Sequence, residues 1–288
     1  MKSTPLDILR SRFGLDEFRP GQLQVIESLL RPTSSSSTAS ASSSTAKTTR
    51  PGALAVFPTG GGKSLCYQLP ALLFDGVTIV VSPLIALMKD QIDALTARGI
   101  AAARLDSSLD KDAYFDVVKR MKAGELKLLY CAPERFANER FLHLLSQVKI
   151  ALFAVDEAHS ISEWGHNFRP DYLKLAHIAR DLKAERVLAL TATATPAVVD
   201  SICDRFGIAR EDVVVTGFYR HNLELITTPV TRQQKDAAVV EAVKNAPPGP
   251  GIVYVTFQKS AERVASVLSA AGFVAEAYHA GMGPEHRA

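Results

Sequence analysis

Apolar and polar residues alternate along most of this chain in the pattern of a parallel α/β protein. Short, nearly continuous apolar stretches are separated by longer stretches in which apolar residues recur with helical spacing. Strands that are apolar on both faces indicate a parallel sheet covered by helices on each side. The predicted strands are Ala53–Phe57, Val77–Val81, Ala101–Leu105, Leu126–Cys131, Ile150–Val155 and Arg186–Leu190. The predicted helices are Lys63–Leu73, Ile85–Ala97, Lys111–Lys122, Pro133–Ser146, Tyr172–Leu182 and Pro196–Phe206.

The chain before the first of these strands predicts two short helices and a polar insertion. Leu6–Arg12 has the pattern of a short helix that ends at Gly14, and apolar residues at helical spacing predict a second helix over 23–30. Residues 33–49 are almost wholly Ser, Thr and Ala, a composition that buries too little apolar surface to offset the entropy of ordering the chain. We therefore expect residues 32–50 to be a disordered surface insertion.

A second α/β pattern begins near Asn222. Its predicted strands are Leu223–Pro229, Ile252–Thr256 and Val274–Tyr278, and its predicted helices are Gln234–Asn245 and Ser260–Ala271. About 65 residues are few for a doubly wound domain, whose usual size starts near 100. We therefore expect a complete first domain at 1–221 and a partial second domain at 222–288.

The composition is that of a globular protein and excludes several classes. Hydrophobic residues make up 47% of the chain and charged residues 22%, and the net charge of +3 is too small to indicate a nucleic-acid partner by itself. The three cysteines are far apart and form no CxxC pair, so no disulfide framework or zinc site is expected. No apolar run is long enough for a signal core or a membrane span, so we expect an intracellular protein without a membrane partner.

A glycine-rich turn after the first predicted strand carries the strongest chemical signal. It consists of Thr59, Gly60, Gly61, Gly62, Lys63 and Ser64. Glycines let the backbone N–H groups point inward, and the helix that follows adds N–H donors and a positive dipole end, so the turn can cradle phosphate. Lys63 would reach the β- and γ-phosphates, and the Ser64 hydroxyl would bind Mg²⁺. The strict pattern has glycine where this chain has Phe57, so a plain glycine turn stays open as the alternative.

Two carboxylates follow the predicted strand Ile150–Val155. At the end of a buried strand, Asp156 and Glu157 are costly unless a cation such as nucleotide-bound Mg²⁺ faces them. We expect Asp156 to bind that metal and Glu157 to orient and deprotonate an attacking water. His159 would link them to neighbouring groups by hydrogen bonds. The alternative is a surface acidic pair that caps a helix, and the glycine turn upstream makes it the weaker one.

Further candidate residues lie on the same predicted rim of the sheet. Thr191 and Thr193 follow the sixth predicted strand and could join the nucleotide state to another site. Trp164 lies in a polar loop with Phe168 and Arg169, and such aromatics and arginines can stack on unpaired bases and contact phosphate. The alternative for this loop is that its aromatic residues only plug it into the core.

Gln22 stands at the start of the helix predicted over 23–30. Its amide, a donor and an acceptor together, matches an adenine edge if it points outward. A merely solvated glutamine is the alternative for this position.

Taken in order, these motifs resemble the N-terminal part of a RecQ-family helicase of superfamily two. The matching segments are Phe18–Gln22, Pro58–Ser64, Ser82–Gln91, Ala132–Arg135, Asp156–His159, the loop with Trp164, and Thr191–Thr195. The loop is the most specific segment, because it resembles the aromatic-rich loop that separates this family from other DEAH-type helicases. In this family a residue like Phe57 is usual in the P-loop. The resemblance implies two RecA-like P-loop NTPase domains, each a parallel sheet flanked by helices, with the second cut short.

The resemblance also implies roles for individual residues. It implies ATP binding by Arg19, Gln22, Thr59, Gly60, Gly61, Gly62, Lys63 and Ser64, with catalysis by Lys63, Asp156 and Glu157. It implies Mg²⁺ binding by Ser64 and Asp156, and coupling to single-stranded DNA by Trp164, Phe168, Arg169, His159, Thr191 and Thr193. The implied activity is ATP-driven 3′-to-5′ unwinding in recombination and repair. The implied substrates are single-stranded DNA and duplex DNA with a 3′ tail, in the nucleus of a eukaryote or the cytoplasm and nucleoid of a bacterium.

Some features depart from the family. Ser160 and Asn167 stand where Cys and Asp are frequent, and Phe257–Lys259 lacks the usual Ser-Arg. The arginine fingers and the zinc-binding and winged-helix domains would follow residue 288, so we expect this chain to bind ATP and unwind DNA poorly or not at all alone. Two other functions stay open: a non-catalytic DNA-binding or regulatory module, and a P-loop ATPase that acts on RNA or protein.

Overall fold

The chain forms two compact units, residues 1–220 and residues 221–288. The computed structural model describes residues 3–32, 50–106, 109–162, 169–217 and 222–283. The predicted insertion at 33–49 and the aromatic residues Trp164 and Phe168 therefore lie outside the described residues.

The first unit is built on one seven-stranded sheet in the order β3-β4-β2-β5-β6-β1-β7. The strands are β1 Gly52–Val56, β2 Val77–Val81, β3 Ala102–Leu105, β4 Leu128–Cys131, β5 Ile150–Val155, β6 Val187–Thr191 and β7 Val213–Val215. Every pairing between them is parallel. The parallel sheet and its first six strands are confirmed. The pattern missed β7, because three valines on a partly exposed edge give no periodicity.

Helices cover both faces of this sheet. The helices of the first unit are α1 Pro5–Ile8, α2 Gln22–Leu30, α3 Leu65–Leu73, α4 Ile85–Ala97, α5 Lys111–Lys122, α6 Glu139–Leu145, α7 Pro170–Asp181 and α8 Pro196–Phe206. One core packs α2, α3 and α4 against the sheet, and the other packs α5, α6, α7 and α8 against the opposite face. Side chains of β1 pack into both cores: Ala53 and Ala55 face the first, whereas Leu54 and Val56 face the second.

Two predicted helices differ from the structure in detail. The single helix expected over Pro133–Ser146 is a 3₁₀ turn, Pro133–Ala137, followed by α6. Asn138 interrupts it with an extended backbone (φ −92°, ψ 114°), and its side chain accepts the Phe141 N–H at 3.1 Å as the cap of α6. At the N-terminus, α1 continues as a π-helical turn to Phe13 and ends at Gly14, as expected, with a left-handed φ of 66°.

The second unit contains the two predicted helices, α9 Lys235–Asn245 and α10 Gln258–Ala270. The three predicted strands are wrong: within 222–283, no described residue pairs in a sheet. Their apolar side chains stay exposed, Leu225 at 88% and Tyr254 at 90%. A strand is stable only with a ladder partner and a packed face, and in the described part of this unit these segments have neither.

Among the described residues, no helix has the length and apolar character needed to cross a membrane.

Candidate functional site

The predicted site residues follow three neighbouring strands. Strands β5, β6 and β1 are adjacent in the sheet. Asp156 and Glu157 follow β5, Thr191 ends β6 and is followed by Thr193, and the glycine turn follows β1. Because all three strands are parallel, their carboxyl ends meet at one edge, which is where open α/β sheets bind ligands.

The glycine turn adopts a backbone that only glycine accepts easily. Gly60 and Gly62 have φ values of 78° and 76°, and the Gly61 N–H donates to the Pro58 carbonyl at 2.9 Å. A Cβ on Gly62 would lie only 2.4 Å from Gln22 Nε2. The turn is therefore shaped for glycine both by its backbone and by its neighbour, as a phosphate cradle requires.

Phe57 does not disturb this turn. Its side chain is buried in the core under α2 and α3, with its ring against Gly21. Only its backbone contributes to the turn, through the carbonyl that accepts a hydrogen bond from Lys63. A bulky side chain is therefore compatible with the cradle at this position.

The carbonyl groups of the turn are held by the protein's own donors. Lys63 Nζ donates to the Phe57 and Pro58 carbonyls at 3.1 and 3.4 Å. Arg19 donates to the Gly60 carbonyl, and Gln22 Nε2 donates to the Gly62 carbonyl at 2.9 Å. These contacts keep the loop carbonyls occupied, and Lys63 would have to leave its two carbonyls to reach a phosphate. Thr59 lies exposed at the tip of the turn.

Gln22 does not point outward as the sequence suggested. It is only 2% exposed, and its Oε1 accepts the Arg19 N–H at 2.9 Å while its Nε2 binds the turn. Helix α2 begins at a left-handed glycine, Gly21 (φ 80°), which lets the chain pass close to Phe57 and directs Gln22 at the turn. The amide therefore fastens α2 to the glycine turn by a specific hydrogen bond.

Asp156 is a half-buried carboxyl at the end of β5. Its backbone N–H donates to the Val81 carbonyl at 2.8 Å, and its Oδ1 accepts the Glu157 N–H at 3.0 Å. Burial and then the charge of Glu157 raise the pKa of Asp156 to about 6, although Lys63 and His159 act in the opposite direction. A carboxylate in this position gains most from a bound cation.

Glu157 is held in a strained but hydrogen-bonded conformation. Its φ of 49° and ψ of 41° are left-handed, which a non-glycine residue adopts at a cost. A hydrogen bond from His159 lowers the pKa of Glu157, and the charges of Lys63 and Arg169 lower it further, against burial. The charge of Lys63 thus lowers the pKa of both carboxyl groups, so the lysine of the glycine turn interacts electrostatically with the acid pair.

A chain of hydrogen bonds joins the ends of β5 and β6. The Thr191 hydroxyl, fully buried, donates to the Thr193 carbonyl at 3.0 Å. It therefore accepts from His159 Nδ1, which lies at 2.9 Å and is also 3.2 Å from Glu157 Oε2. These contacts require a proton on His159 Nδ1. A change at Glu157 can reach Thr193 through these contacts.

The remaining predicted residue on this rim, Arg169, is exposed at the start of α7. Its backbone N–H donates to the Ser160 carbonyl at 3.0 Å, which returns the chain to the turn after Glu157. Trp164 and Phe168 lie outside the described residues. Thr195 caps α8 ahead of Pro196 by accepting the Val198 N–H at 3.4 Å.

Two buried tyrosines beside the site escaped the sequence-based prediction. The Tyr172 hydroxyl donates to the Asp156 carbonyl at 3.1 Å, and Tyr67 is buried in the first turn of α3, three residues after Ser64. Both occupy apolar positions of amphipathic helices, so their pattern was that of ordinary core residues. A polar hydroxyl at a core position is the signal that could have indicated them.

The donor set fits a Mg²⁺ ion held together with a nucleotide. No group of three or more His, Cys, Asp or Glu among the described residues could hold a metal ion by itself. Ser64 and Asp156 offer one hydroxyl and one carboxylate, and Mg²⁺ is usually bound by few protein oxygens and completed by phosphate and water. The Asp156 carboxylate is half-buried beside Glu157, and a cation there would offset the cost of its charge.

Comparisons with known proteins show the family of this chain. The family model of the DEAD/DEAH box helicases matches residues 19–202. The ATP-dependent DNA helicase RecQ of Bacillus subtilis is 41% identical over 281 residues, 97% of this chain and 44% of that protein. RecQ of Haemophilus influenzae is 39% identical over 282 residues, 98% of this chain and 42% of that protein. The predicted resemblance to the N-terminal part of RecQ helicases is confirmed, and the chain spans less than half the length of these relatives.

A solved structure supports the fold alone. The helicase MrfA matches with a TM-score of 0.62 at 17% identity, over 93% of this chain and 40% of that protein. Sequence identity this low leaves the chemistry to be argued from the site itself.

Proposed function

The chain belongs to the DEAD/DEAH box helicase family, and on that premise we propose that it binds ATP and hydrolyses it to drive the unwinding of DNA. The observation that carries this proposal is that the glycine turn with Lys63 and the acid pair Asp156 and Glu157 follow strands β1 and β5 at one edge of the parallel sheet. The ammonium group of the glycine turn lowers the pKa of both carboxyl groups after β5. ATP hydrolysis requires a cationic side chain that binds the phosphates and lies beside two carboxylates.

Binding begins with an exchange of partners in the glycine turn. Lys63 gives up the Phe57 and Pro58 carbonyls, which lie 3.1 and 3.4 Å away, and takes phosphate oxygens of ATP instead. The N–H groups of Gly60, Gly62, Lys63 and Ser64 and the start of α3 hold the same oxygens. Arg19 and Gln22 keep the turn in shape from the α2 side, next to the place where we expect the adenine base.

Glu157 is the general base in this proposal. Its pKa is lowered, so it is ionised at neutral pH and can accept a hydrogen bond from a water molecule. The water oxygen attacks the γ-phosphorus, its proton passes to the Glu157 carboxylate, and the bond to the β-phosphate oxygen breaks to release ADP and phosphate. A Mg²⁺ ion held by Ser64 and Asp156 would neutralise the charge that develops on the phosphates.

The hydrogen-bonded chain from Glu157 to Thr193 supports coupling to DNA. His159 and Thr191 connect the proposed base to Thr193, and Arg169 lies at the start of the helix that follows the aromatic loop. The relatives are named ATP-dependent DNA helicases. By this similarity we propose single-stranded DNA, and duplex DNA with a 3′ tail, as substrates for 3′-to-5′ movement in recombination and repair. Such a protein would act inside the cell, at the chromosome.

The test is the ATPase activity of the chain with and without single-stranded DNA. We expect Lys63→Ala to lose ATP binding, and Glu157→Gln to keep binding while losing hydrolysis. Lys174→Ala, on the exposed side of α7, is the matched control and should behave as wild type. ATP turnover that neither Lys63→Ala nor Glu157→Gln reduces would overturn the assignment of the site. Equal stimulation by RNA and DNA would favour an RNA-directed ATPase instead.

A further inference from the structure

We propose that Arg186 is a positioning residue for ATP binding. It holds the C-terminal ends of α2 and α3 together, on the side of the sheet where the strands begin, and thereby keeps Gln22 against the glycine turn. This inference rests on the proposed function and adds to it a residue far from the nucleotide. No contact with ATP is assigned to Arg186 itself.

Helices α2 and α3 both begin beside the glycine turn and run away from it. Helix α2 begins at Gln22, whose amide donates to the Gly62 carbonyl at 2.9 Å, and α3 begins at Leu65, directly after the turn. Each helix has nine residues, which at 1.5 Å per residue is about 13 Å. A displacement of α2 along its axis would therefore move Gln22 relative to the turn.

The packing between these two helices is apolar. Ile26 of α2 and Leu65 and Leu69 of α3 are buried in one cluster. Hydrophobic burial has no preferred direction, so it fixes the separation of the helices more firmly than their displacement along the axis. A directional contact at the helix ends can fix that displacement.

Arg186 contacts the end of each helix. Its Nε donates to the Leu29 carbonyl, in the last turn of α2, at 2.8 Å. Its guanidinium group lies over the ring of Phe74, the C-terminal cap residue of α3, with Cζ 4.3 Å from the ring centroid. Neither helix has a basic residue in its own last turn, although a cation is favourable at the negative end of a helix dipole. One guanidinium group therefore serves both helix ends.

The sheet holds Arg186 in place. Arg186 directly precedes β6, and its carbonyl accepts the Phe153 N–H of β5 at 2.9 Å. Its Nη1 donates to Glu185 Oε2 at 2.7 Å, and Glu185 Oε1 lies 3.3 Å from Lys149 Nζ. Because a guanidinium group is planar and its donors point in fixed directions, it can stack on a ring and donate to a carbonyl together. The two helix ends are thus attached to the sheet through one side chain.

Arg50 provides a matched control. It lies just before β1, and its Nη1 donates to the Ala179 and Ala184 carbonyls at 2.9 and 3.3 Å, at the end of α7. No residue of α7 is assigned to ATP binding. Arg50→Met and Arg186→Met each keep a long apolar side chain and remove a guanidinium group that holds a helix end. Both variants should lose stability, but only Arg186→Met should lose affinity for ATP.

The experiment is the affinity of the full chain for a fluorescent ATP analogue in saturating Mg²⁺, at a temperature where circular dichroism shows each variant to be folded. The net contribution of one hydrogen bond corresponds to about 3- to 10-fold in an equilibrium constant. We expect Arg186→Met to weaken binding by about this factor, as Gln22→Ala should, and Arg50→Met to bind as wild type does. In the Gln22→Ala background, Arg186→Met should cause no further loss, because the contact that it supports is already absent.

Urea unfolding without nucleotide tests the same link independently of ATP. Changes at distant residues without shared partners normally add. We expect Arg186→Met and Gln22→Ala together to lose less unfolding free energy than the sum of their separate losses, whereas Arg50→Met and Gln22→Ala should add. If Arg186→Met does not fold, Arg186→Lys replaces it in both measurements, because an ammonium group lacks the fixed donors and flat face of the guanidinium group.

The outcomes separate this inference from the proposed function. A wild-type chain without affinity for the analogue refutes the proposed function and, with it, any role of Arg186 in ATP binding. A wild type that binds, with an Arg186→Met variant that binds equally well, refutes only the role of Arg186. An equal loss of affinity in Arg50→Met, or losses at Arg186 and Gln22 that add fully in either measurement, show a general structural role and refute positioning.

Discussion

A single methyl group added at Gly62 tests how the glycine turn is held. Gly62→Ala forces a non-glycine residue to a φ of 76°, which costs about 1–2 kcal/mol. The new Cβ would also lie 2.4 Å from Gln22 Nε2. Because Gln22 is buried, its amide must leave the Gly62 carbonyl without reaching water, and an unsatisfied buried amide costs about 1–3 kcal/mol more. The total loss of unfolding free energy is therefore about 2–5 kcal/mol.

Gly124 provides a matched control for the backbone part of this loss. Its φ is 73°, nearly that of Gly62, and a Cβ there meets nothing within 4 Å. We expect Gly124→Ala to cost only the left-handed backbone penalty of about 1–2 kcal/mol. The difference between the two variants isolates the contact between the turn and Gln22.

The assay is urea unfolding of the nucleotide-free chain, followed by far-ultraviolet circular dichroism. Gln22→Ala and the double variant with Gly62→Ala complete a thermodynamic cycle. Both single changes break the same contact, so the double variant should lose at least about 1 kcal/mol less than the sum of the singles. If Gly62→Ala costs no more than Gly124→Ala, or the two losses add fully, the Gln22 amide does not hold the turn.

Three further predictions concern the acid pair and one helix cap. The raised pKa of Asp156, about 6 instead of 3.8, means that the native state holds this proton more tightly than the unfolded chain, so ionisation destabilises the fold as the pH rises through this range. Asp156→Asn, in EDTA and without nucleotide, should therefore raise the unfolding free energy near pH 7 by up to about 3 kcal/mol and much less near pH 4; an equal gain at both pH values would contradict the burial of this charge. Glu157→Gly should be more stable than Glu157→Ala by about 1 kcal/mol in urea unfolding, because glycine relieves the left-handed backbone, and equal stability would show no strain there. Thr195→Ala should cost about 1 kcal/mol through the lost cap of α8 without changing the affinity for ATP, and a change in that affinity would give Thr195 a part in the site.

The first unit was predictable because its strands are buried on both faces. Continuous apolar runs such as Ile150–Val155 have few interpretations other than a central parallel strand, and the structure has that strand with the same bounds. Because strands joined by βα units run parallel, the glycine turn and Asp156 were expected at the same edge of the sheet, whereas the order of the strands was not predicted. The edge strand β7 lacked this signal because only its central residue is buried.

The second unit shows where a local pattern fails. Ile252–Thr256 has the composition of a strand, yet composition gives no partner, and a strand depends on pairing far along the chain. The helices α9 and α10 were predictable because their hydrogen bonds are local to each segment.

Side-chain direction at the site was the least predictable property. From the sequence we expected Gln22 near the nucleotide with its amide pointing outward. The sequence could not show that this amide binds the Gly62 carbonyl, which is 40 residues away in the chain. Tyr172 was missed for a similar reason: its hydroxyl donates to the Asp156 carbonyl, a contact that no spacing rule contains.

The most direct test of the site is a crystal structure of the chain with Mg²⁺ and a non-hydrolysable ATP analogue. We predict that Lys63 leaves the Phe57 and Pro58 carbonyls and contacts the phosphates, with the metal between Ser64 and Asp156. A nucleotide bound elsewhere, or a Lys63 that keeps its 3.1 Å contact with the Phe57 carbonyl while the analogue is bound, would contradict the proposed ATP site.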